Sequence, residues 1–375
     1  TGLHIDSALE LPPLSLYVHI PWCVRKCPYC DFNSHTAGPE IPEQNYIHAL
    51  IADLQQDQKW AQGRKLTSIF FGGGTPSLFS AAGIGQILNA AERLIGFETD
   101  IEITLEANPG TAEQNKFSGF RSAGVNRLSI GIQSFNDQHL LQLGRIHDGS
   151  QALSAIDTAR RAGFDNFNLD LMHGLSGQTV EQARRDLQLA RDSGALHISW
   201  YQLTIEPNTE FYSRPPQLPE EDALIDIQQA GMELLDDGGY KQYEVSAFAQ
   251  PGQASRHNMN YWQFGDYLGI GAGAHGKITM PAENCILRSN KTRQPDNYLA
   301  RDPLTLAQQK PIALDELAVE FMMNGLRLRD GLSADYFTSR TGLPASSIAK
   351  QVAKLQSQGL LQVNPRRYQT TALGY

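Results

Sequence analysis

Between residues 14 and about 240, apolar β-prone runs and amphipathic helical stretches alternate six times, and that rhythm constrains the fold more than any other feature. The β-prone runs fall at 14–20, 67–71, 101–106, 127–132, 167–172 and 198–204. The clearest helical patterns between them are 43–61, 81–94, 112–123, 150–162 and 180–193, each with apolar residues at a helical period. Thr179 and Gln182 have the spacing of a capping box, and Gly96, Gly124, Gly163 and Gly194 stand where a helix ends in a left-handed residue. Strand-then-helix repetition predicts parallel strands covered by helices, an α/β fold. Nearly every strand runs into a polar or glycine-rich tail: the Cys23 region, Gly72 to Thr75, Glu106 to Asn108, Gln133 and Ser134, Asp170 to His173, and Glu206. Functional tails gathered at the C-terminal ends of successive strands are how a barrel builds its site. Six units rather than eight predict a partial, open-sided (β/α)6 barrel.

The rhythm changes near Gly239. Residues 240–248 read as one further strand, 256–264 as a dense polar-aromatic patch and 267–276 as a glycine-rich run. Helical patterns at 315–326, 333–341 and 346–359, then a β-prone end at 360–369, predict a winged-helix-like C-terminal domain. The expected organisation is an N-terminal segment 1–13, a barrel 14–238, a connecting region 239–300 and a C-terminal domain 301–375.

With 375 residues the chain has room for a large domain and a smaller one. Its net charge of −9 argues against nucleic acid as the main partner, and the adjacent Arg366 and Arg367 read as solvated surface. No apolar run is long enough to span a membrane, and the first ten residues lack the basic start and apolar core of a signal peptide. Four cysteines, three of them within eight residues, are no disulfide scaffold. A reducing compartment, most simply the cytoplasm, is expected.

Those three cysteines are Cys23-Val-Arg-Lys-Cys27-Pro-Tyr-Cys30, directly after the first strand. Thiolates are the usual ligands of iron–sulfur clusters, which generally take four. Three on one short loop can hold three irons of a [4Fe–4S] cluster and leave the fourth open to a small molecule. The C-x3-C-x2-C spacing matches the radical S-adenosylmethionine (SAM) signature. A structural zinc site with His19 or His35 as fourth ligand is the alternative, and inert buried thiols are another. Cys285 stands apart and reads as a small apolar residue.

Gly72-Gly73-Gly74-Thr75-Pro76 closes the second strand, where glycines let a ligand approach the backbone. A tight turn alone would also explain them. Glu106, Gln133, Arg145 and Asp170 lie in or just after apolar strands, except Arg145, expected on a following helix. Each could be a satisfied polar residue at a barrel rim; together they could supply acceptors for ribose hydroxyls and charges for the methionine end.

The segments Tyr17-Val-His-Ile-Pro-Trp-Cys23, GGGTP, LEANP, GIQSF, GRIH and DLMHGL together resemble the radical SAM family of the oxygen-independent coproporphyrinogen III dehydrogenases, from about Leu14 to the C-terminus. The resemblance is strongest to its heme chaperone branch, which His257-Asn258-Met259-Asn260-Tyr261-Trp262 marks as an H-N-x-x-Y-W element. It implies that Cys23, Cys27 and Cys30 hold the cluster. It implies that Tyr17, Tyr29, Gly72, Gly73, Gly74, Thr75, Glu106, Gln133, Arg145 and Asp170 contact SAM. Two departures weaken the dehydrogenase reading: Phe32 stands where that enzyme's pattern has a fourth cysteine, and only about thirteen residues precede the first strand.

The expected function is therefore heme binding and delivery to apo-hemoproteins, respiratory enzymes at the membrane among them, with peripheral membrane association and a homodimer left open. The alternative is a radical enzyme, in which an electron from the cluster cleaves SAM and the resulting radical attacks a porphyrinogen. His257 is the expected heme ligand, with Tyr261 and Trp262 able to stack on a porphyrin face; core packing is the competing reading of all three. His275, His173 and Met172 are weaker ligand candidates.

Overall fold

The computed structural model describes residues 8–300 and 307–375. Residues 1–7 of the expected N-terminal segment, and 301–306 at the start of the expected C-terminal domain, lie outside the described residues.

The six expected strands are present and parallel: β1 (Leu14–Ile20), β2 (Leu66–Gly73), β3 (Phe97–Ala107), β4 (Arg127–Gln133), β5 (Phe167–His173) and β6 (His197–Gln202), hydrogen-bonded in that order. Their central residues are buried on both faces, as in parallel strands under helices; in β1 six of seven residues are buried, while the start of β3 and the end of β6 are exposed. Helices Ala81–Leu94, Gly149–Arg161 and Val180–Asp192 fall within one residue of expectation. The Thr179–Gln182 capping box forms, and an unforeseen one, Asp148–Gln151, opens the helix before it. All four terminal glycines adopt positive φ, from 72° at Gly194 to 113° at Gly124.

Two helices differ from expectation. The pattern at 43–61 forms an α-helix, Glu43–Asp57, that tightens into a 3-10 turn, Gln58–Ala61. The pattern at 112–123 breaks into a single turn, Thr111–Gln114, and a helix, Phe117–Ala123. Lys116 at the break donates Nζ to the carbonyls of Ser77, Leu78 and Phe79, tying that corner to the end of β2.

The sheet extends further than six strands. The expected strand at 240–248 is a bulged hairpin, β7 (Lys241–Glu244) and β8 (Ala247–Ala249), antiparallel beside β6. On the other side of β1 lies β9 (Asp266–Ile270), parallel to it, followed by antiparallel β10 (His275–Met280), β11 (Cys285–Lys291) and β12 (Ala307–Pro311). The last three raise no strand expectation: buried Lys277 interrupts the apolar pattern of β10, β11 turns polar from Arg288 to its last residue, buried Lys291, and β12 is Ala-Gln-Gln-Lys-Pro. Both lysines are ion-paired, to Asp266 and to Asp53 with Asp57, which is what allows a cation into a sheet.

Helices Leu314–Gly325, Asp335–Thr341 and Ala349–Ser357 and a two-residue ribbon pairing Leu332–Ser333 with Arg367–Tyr368 build a second core around Phe321, Phe337 and Leu343. Helix Arg256–Trp262 lies between the two cores. Met259 and Trp262 pack into the second core, with the Arg327 guanidinium 4.4 Å from the Trp262 ring. The opposite face plugs the N-terminal end of the barrel, where Asn260 donates to Ser15 Oγ and His257 Nδ1 meets Ser68 Oγ at 3.1 Å.

Candidate functional site

The C-terminal ends of β2 to β6 and the loop after β1 surround one cavity of about 370 Å3. Cys23, Cys27 and Cys30 all line it, as free thiols. The loop is set by main-chain bonds from Cys30 N to Cys27 O (3.1 Å) and from Ala37 N to Cys23 O (2.8 Å). Neither histidine of the zinc alternative lines the cavity that holds the thiols. His19 uses both ring nitrogens, on Tyr17 Oη (3.0 Å) and the Asn33 carbonyl (2.9 Å), and His35 Nε2 meets Asn33 Oδ1. Phe32, at the place of a fourth cysteine, is 63% exposed. The donor set is thus three thiols facing an open cavity, which suits a cluster with one iron left for a ligand.

The turn after β2 is built into this loop. Gly74 N donates to Ile20 O and Thr75 N to Trp22 O. A Cβ at Gly74 would stand 2.5 Å from the Trp22 carbonyl oxygen, and one at Gly73 (φ 112°) would stand 2.5 Å from the His19 ring. These two glycines are required by close approach, not by a turn alone. Gly74→Ala should push the chain just before Cys23 and lower SAM affinity about tenfold, or more. Gly85→Ala, whose new methyl meets only Ala123 Cβ at 3.7 Å, should match wild type. Equilibrium dialysis with labelled SAM checks the pair.

Arg145 lies in the turn after helix Asp137–Gln142 rather than on the helix. Its guanidinium donates to Asn108 Oδ1 (2.6 Å), the Gly131 carbonyl (2.9 Å) and Cys27 Sγ (3.5 Å), while its buried Nε has no partner. Tyr29 packs between this group and Phe211. Glu106 is half-buried at the cavity wall, and desolvation with the nearby Asp170 charge pushes its carboxyl up to about 8 against the Gly73 N–H. Asp170 is also pushed up by burial, opposed by donors from Ser129 and Asn168. Gln133 reaches the cavity with φ at 67°, a strained backbone of the kind that gathers at binding sites.

Eight of the ten residues expected to contact SAM therefore share the cavity with the cysteines: Tyr29, Gly73, Gly74, Thr75, Glu106, Gln133, Arg145 and Asp170. Tyr17 and Gly72 stand behind its wall, where a Cβ at Gly72 would meet the Tyr17 ring and the Glu106 carboxylate. Sequence reasoning passed over Arg25, Ser129 and Tyr201, which also line the cavity; the last two are inward positions of β4 and β6, findable from the strand period.

The structure does not place His257 where an exposed heme ligand must be. Its side chain points into the barrel and is 2% exposed, stacked on Phe70 with centroids 5.0 Å apart. Burial, with Arg127 nearby, lowers its pKa to about 3, so the ring is neutral. A seven-residue helix packed on both sides by two cores turns its polar residues inward. Of the weaker candidates, Met172 lines the cavity and His173 is buried against Trp200, whereas His275 is exposed and outside the lining.

A profile of the radical SAM superfamily matches residues 17–190, and one of the HemN C-terminal domain matches 312–375. The chain is 52% identical over 369 residues to the heme chaperone HemW of Haemophilus influenzae, covering 97% of this chain and 96% of that protein. It is 48% identical to the heme chaperone HemW of Escherichia coli, covering 98% and 96%. It is 36% identical to the mouse mitochondrial radical S-adenosyl methionine domain-containing protein 1, covering 94% and 82%. The fold is shared with coproporphyrinogen III oxidase (HemN) from Escherichia coli at a TM-score of 0.81, 24% identity, and coverage of 97% of this chain and 88% of that one.

Proposed function

Because the chain belongs to the HemW family of radical SAM proteins, we propose that it binds heme and hands it to apo-hemoproteins, carrying a [4Fe–4S] cluster and SAM. Near-full-length similarity to heme chaperones supports the heme part, and the three-thiol cavity supports the cofactors. The cluster belongs on Cys23, Cys27 and Cys30, where it would supply an electron and an open iron for SAM. Gly73, Gly74 and Thr75 bring backbone to SAM's amino end, and Arg145, held by three partners, fixes the wall beside Cys27. Glu106 and Asp170 offer acceptors to hydroxyl or cationic groups. Among the described residues no helix is long and apolar enough to cross a membrane. Acceptors in respiratory membranes would then be met at the surface.

Heme titration of anaerobically reconstituted protein, followed by mixing with an apo-hemoprotein, tests the reading. We expect saturable binding and transfer. Failure to bind at micromolar heme, together with SAM-dependent consumption of coproporphyrinogen, would overturn it in favour of a porphyrinogen enzyme. His257→Ala should leave the position of the heme absorption band unchanged, because that ring faces the barrel interior. A shifted band in this variant would show that the helix opens to present His257.

A further inference from the structure

Below the cavity, the barrel interior carries a set of side-chain hydrogen bonds leading away from Asp170. The Asp170 carboxylate accepts from Ser129 Oγ (2.9 Å) and from Asn168 Nδ2 (2.8 Å), and Asn168 Nδ2 also donates to Ser129 Oγ (2.8 Å). On its other side Asn168 Oδ1 meets His197 Nδ1 at 2.6 Å and Ser199 Oγ at 3.1 Å. His197 Nε2 in turn meets Tyr243 Oη at 2.9 Å, and Ser255 N donates weakly to the same hydroxyl at 3.4 Å. Asn168, His197 and Ser199 are buried, so water does not compete for these groups.

The directions of these bonds are determined. An amide oxygen only accepts, so the His197 proton sits on Nδ1. The ring is neutral, because burial lowers its pKa well below the usual histidine range and Arg127 adds to this. Its Nε2 therefore accepts from Tyr243 Oη. Remove the imidazole and Asn168 Oδ1 keeps only the longer bond from Ser199 Oγ (3.1 Å), so the amide is held less firmly in the orientation that points Nδ2 at Asp170. Turned over, Oδ1 would face the Asp170 carboxylate, acceptor against acceptor.

We propose that His197, its tautomer set by the Asn168 amide oxygen and its ring held by Tyr243, is a positioning residue for SAM binding: through Asn168 it keeps an N–H donor on the Asp170 carboxylate and so fixes that carboxylate toward the cavity. The proposal rests on the reading that this cavity holds SAM. The charged and titratable groups facing Asp170 are Glu106 on β3, Arg127 on β4 and Tyr201 on β6; Ser129 and Ser199 are its neutral neighbours. None of the three charged or titratable groups donates a hydrogen bond to it, so the neutral donors Asn168, Ser129 and Ser199 set its orientation.

The test is SAM affinity as a function of pH for full-length reconstituted protein, by equilibrium dialysis with labelled SAM, with iron content measured in parallel. His197→Ala is expected to weaken SAM about tenfold, the Asn168 donor on the Asp170 carboxylate being loosened, at unchanged iron content. Its affinity should also begin to fall at a higher pH on acidification, because Asp170 without its amide donor protonates more readily; Asp170→Asn should lack that limb. His197→Gln, whose side-chain N–H can donate to Asn168 Oδ1, should recover most of the affinity. A merely structural role for His197 would move thermal stability and leave the pH limb in place. Wild-type affinity and pH limb in His197→Ala, or no recovery in His197→Gln, would overturn the positioning role. Should His197→Ala fail to fold, Tyr243→Phe reports instead: a smaller loss with a smaller shift of the limb in the same direction is expected, and no shift would overturn the proposal. Absence of saturable SAM binding by the wild type would sink the SAM reading itself, an outcome distinct from equal binding by wild type and variant.

Discussion

Replacing any one of Cys23, Cys27 or Cys30 by alanine is expected to abolish the broad iron–sulfur absorbance of anaerobically reconstituted protein, while replacing Cys285 leaves it intact. The three thiols line one cavity, and none forms a disulfide. Among the described residues no further cysteine is near enough to substitute. Cys285 opens β11 opposite Met280, on the antiparallel side of the sheet and outside the cavity lining. A cubane that has lost one of only three protein ligands has two open irons and is no longer held, so the loss should be complete rather than graded. Iron and sulfide assays alongside the spectra separate cluster loss from unfolding. Equal loss of iron in Cys285→Ala would show that the fourth cysteine takes part and that the three-thiol assignment is wrong.

The second large effect concerns stability. Lys291→Met should cost about 3–5 kcal/mol, the usual consequence of leaving one side of a buried ion pair uncompensated. Lys291 Nζ contacts Asp53 and lies 2.7 Å from Asp57, with all three side chains buried. Asp53 also accepts from Tyr298 Oη (2.7 Å) and Gly271 N (3.2 Å). Loss of the cation leaves two buried carboxyls facing each other with only neutral donors on Asp53; burial already raises Asp57 to about 6 even with the lysine present. The network also matters for the site. It anchors helix Glu43–Asp57 beneath the cluster loop, where Tyr46 Oη donates to the His19 carbonyl. Urea titration measures the loss. Lys241→Met breaks an ion pair to Asp236 whose side chains are both 68% exposed and should cost under about 1 kcal/mol. A Lys291 variant as stable as the Lys241 variant would contradict the buried-network reading.

The barrel was legible because its signals are local and repeated. Glycine ends, the Thr179 capping box and apolar runs each name an element without tertiary knowledge, and the polar tails of those elements name the site. The cysteine spacing and the glycine turn carried the cofactor reading for the same reason. What escaped was decided by long-range packing. β10 and β11 raise no strand expectation, because Lys277 interrupts the apolar pattern of one and the other turns polar from Arg288 to Lys291; the buried lysines are paired by the distant Asp266 and Asp53. His257 and Trp262 share a seven-residue helix whose two faces meet different cores, so the local pattern of H-N-x-x-Y-W fits an exposed ligand as well as a plug. Tyr17 and Gly72 share a face of the sheet with Glu106, since Tyr17 pairs with Phe70 and Phe70 with Thr104, but they lie outside the cavity lining, and only the depth of the cavity decides that. The Asn168–His197 pair joins neighbouring strands, a juxtaposition that register alone supplies.

The central claim is that three cysteines hold a cluster whose remaining iron is open to SAM. Electron paramagnetic resonance of the reconstituted, reduced protein, recorded without and with SAM, tests it most directly. We expect the signal of a reduced [4Fe–4S] cluster whose g-values and line shape change on adding SAM. A cluster signal that SAM leaves unaltered would contradict the claim.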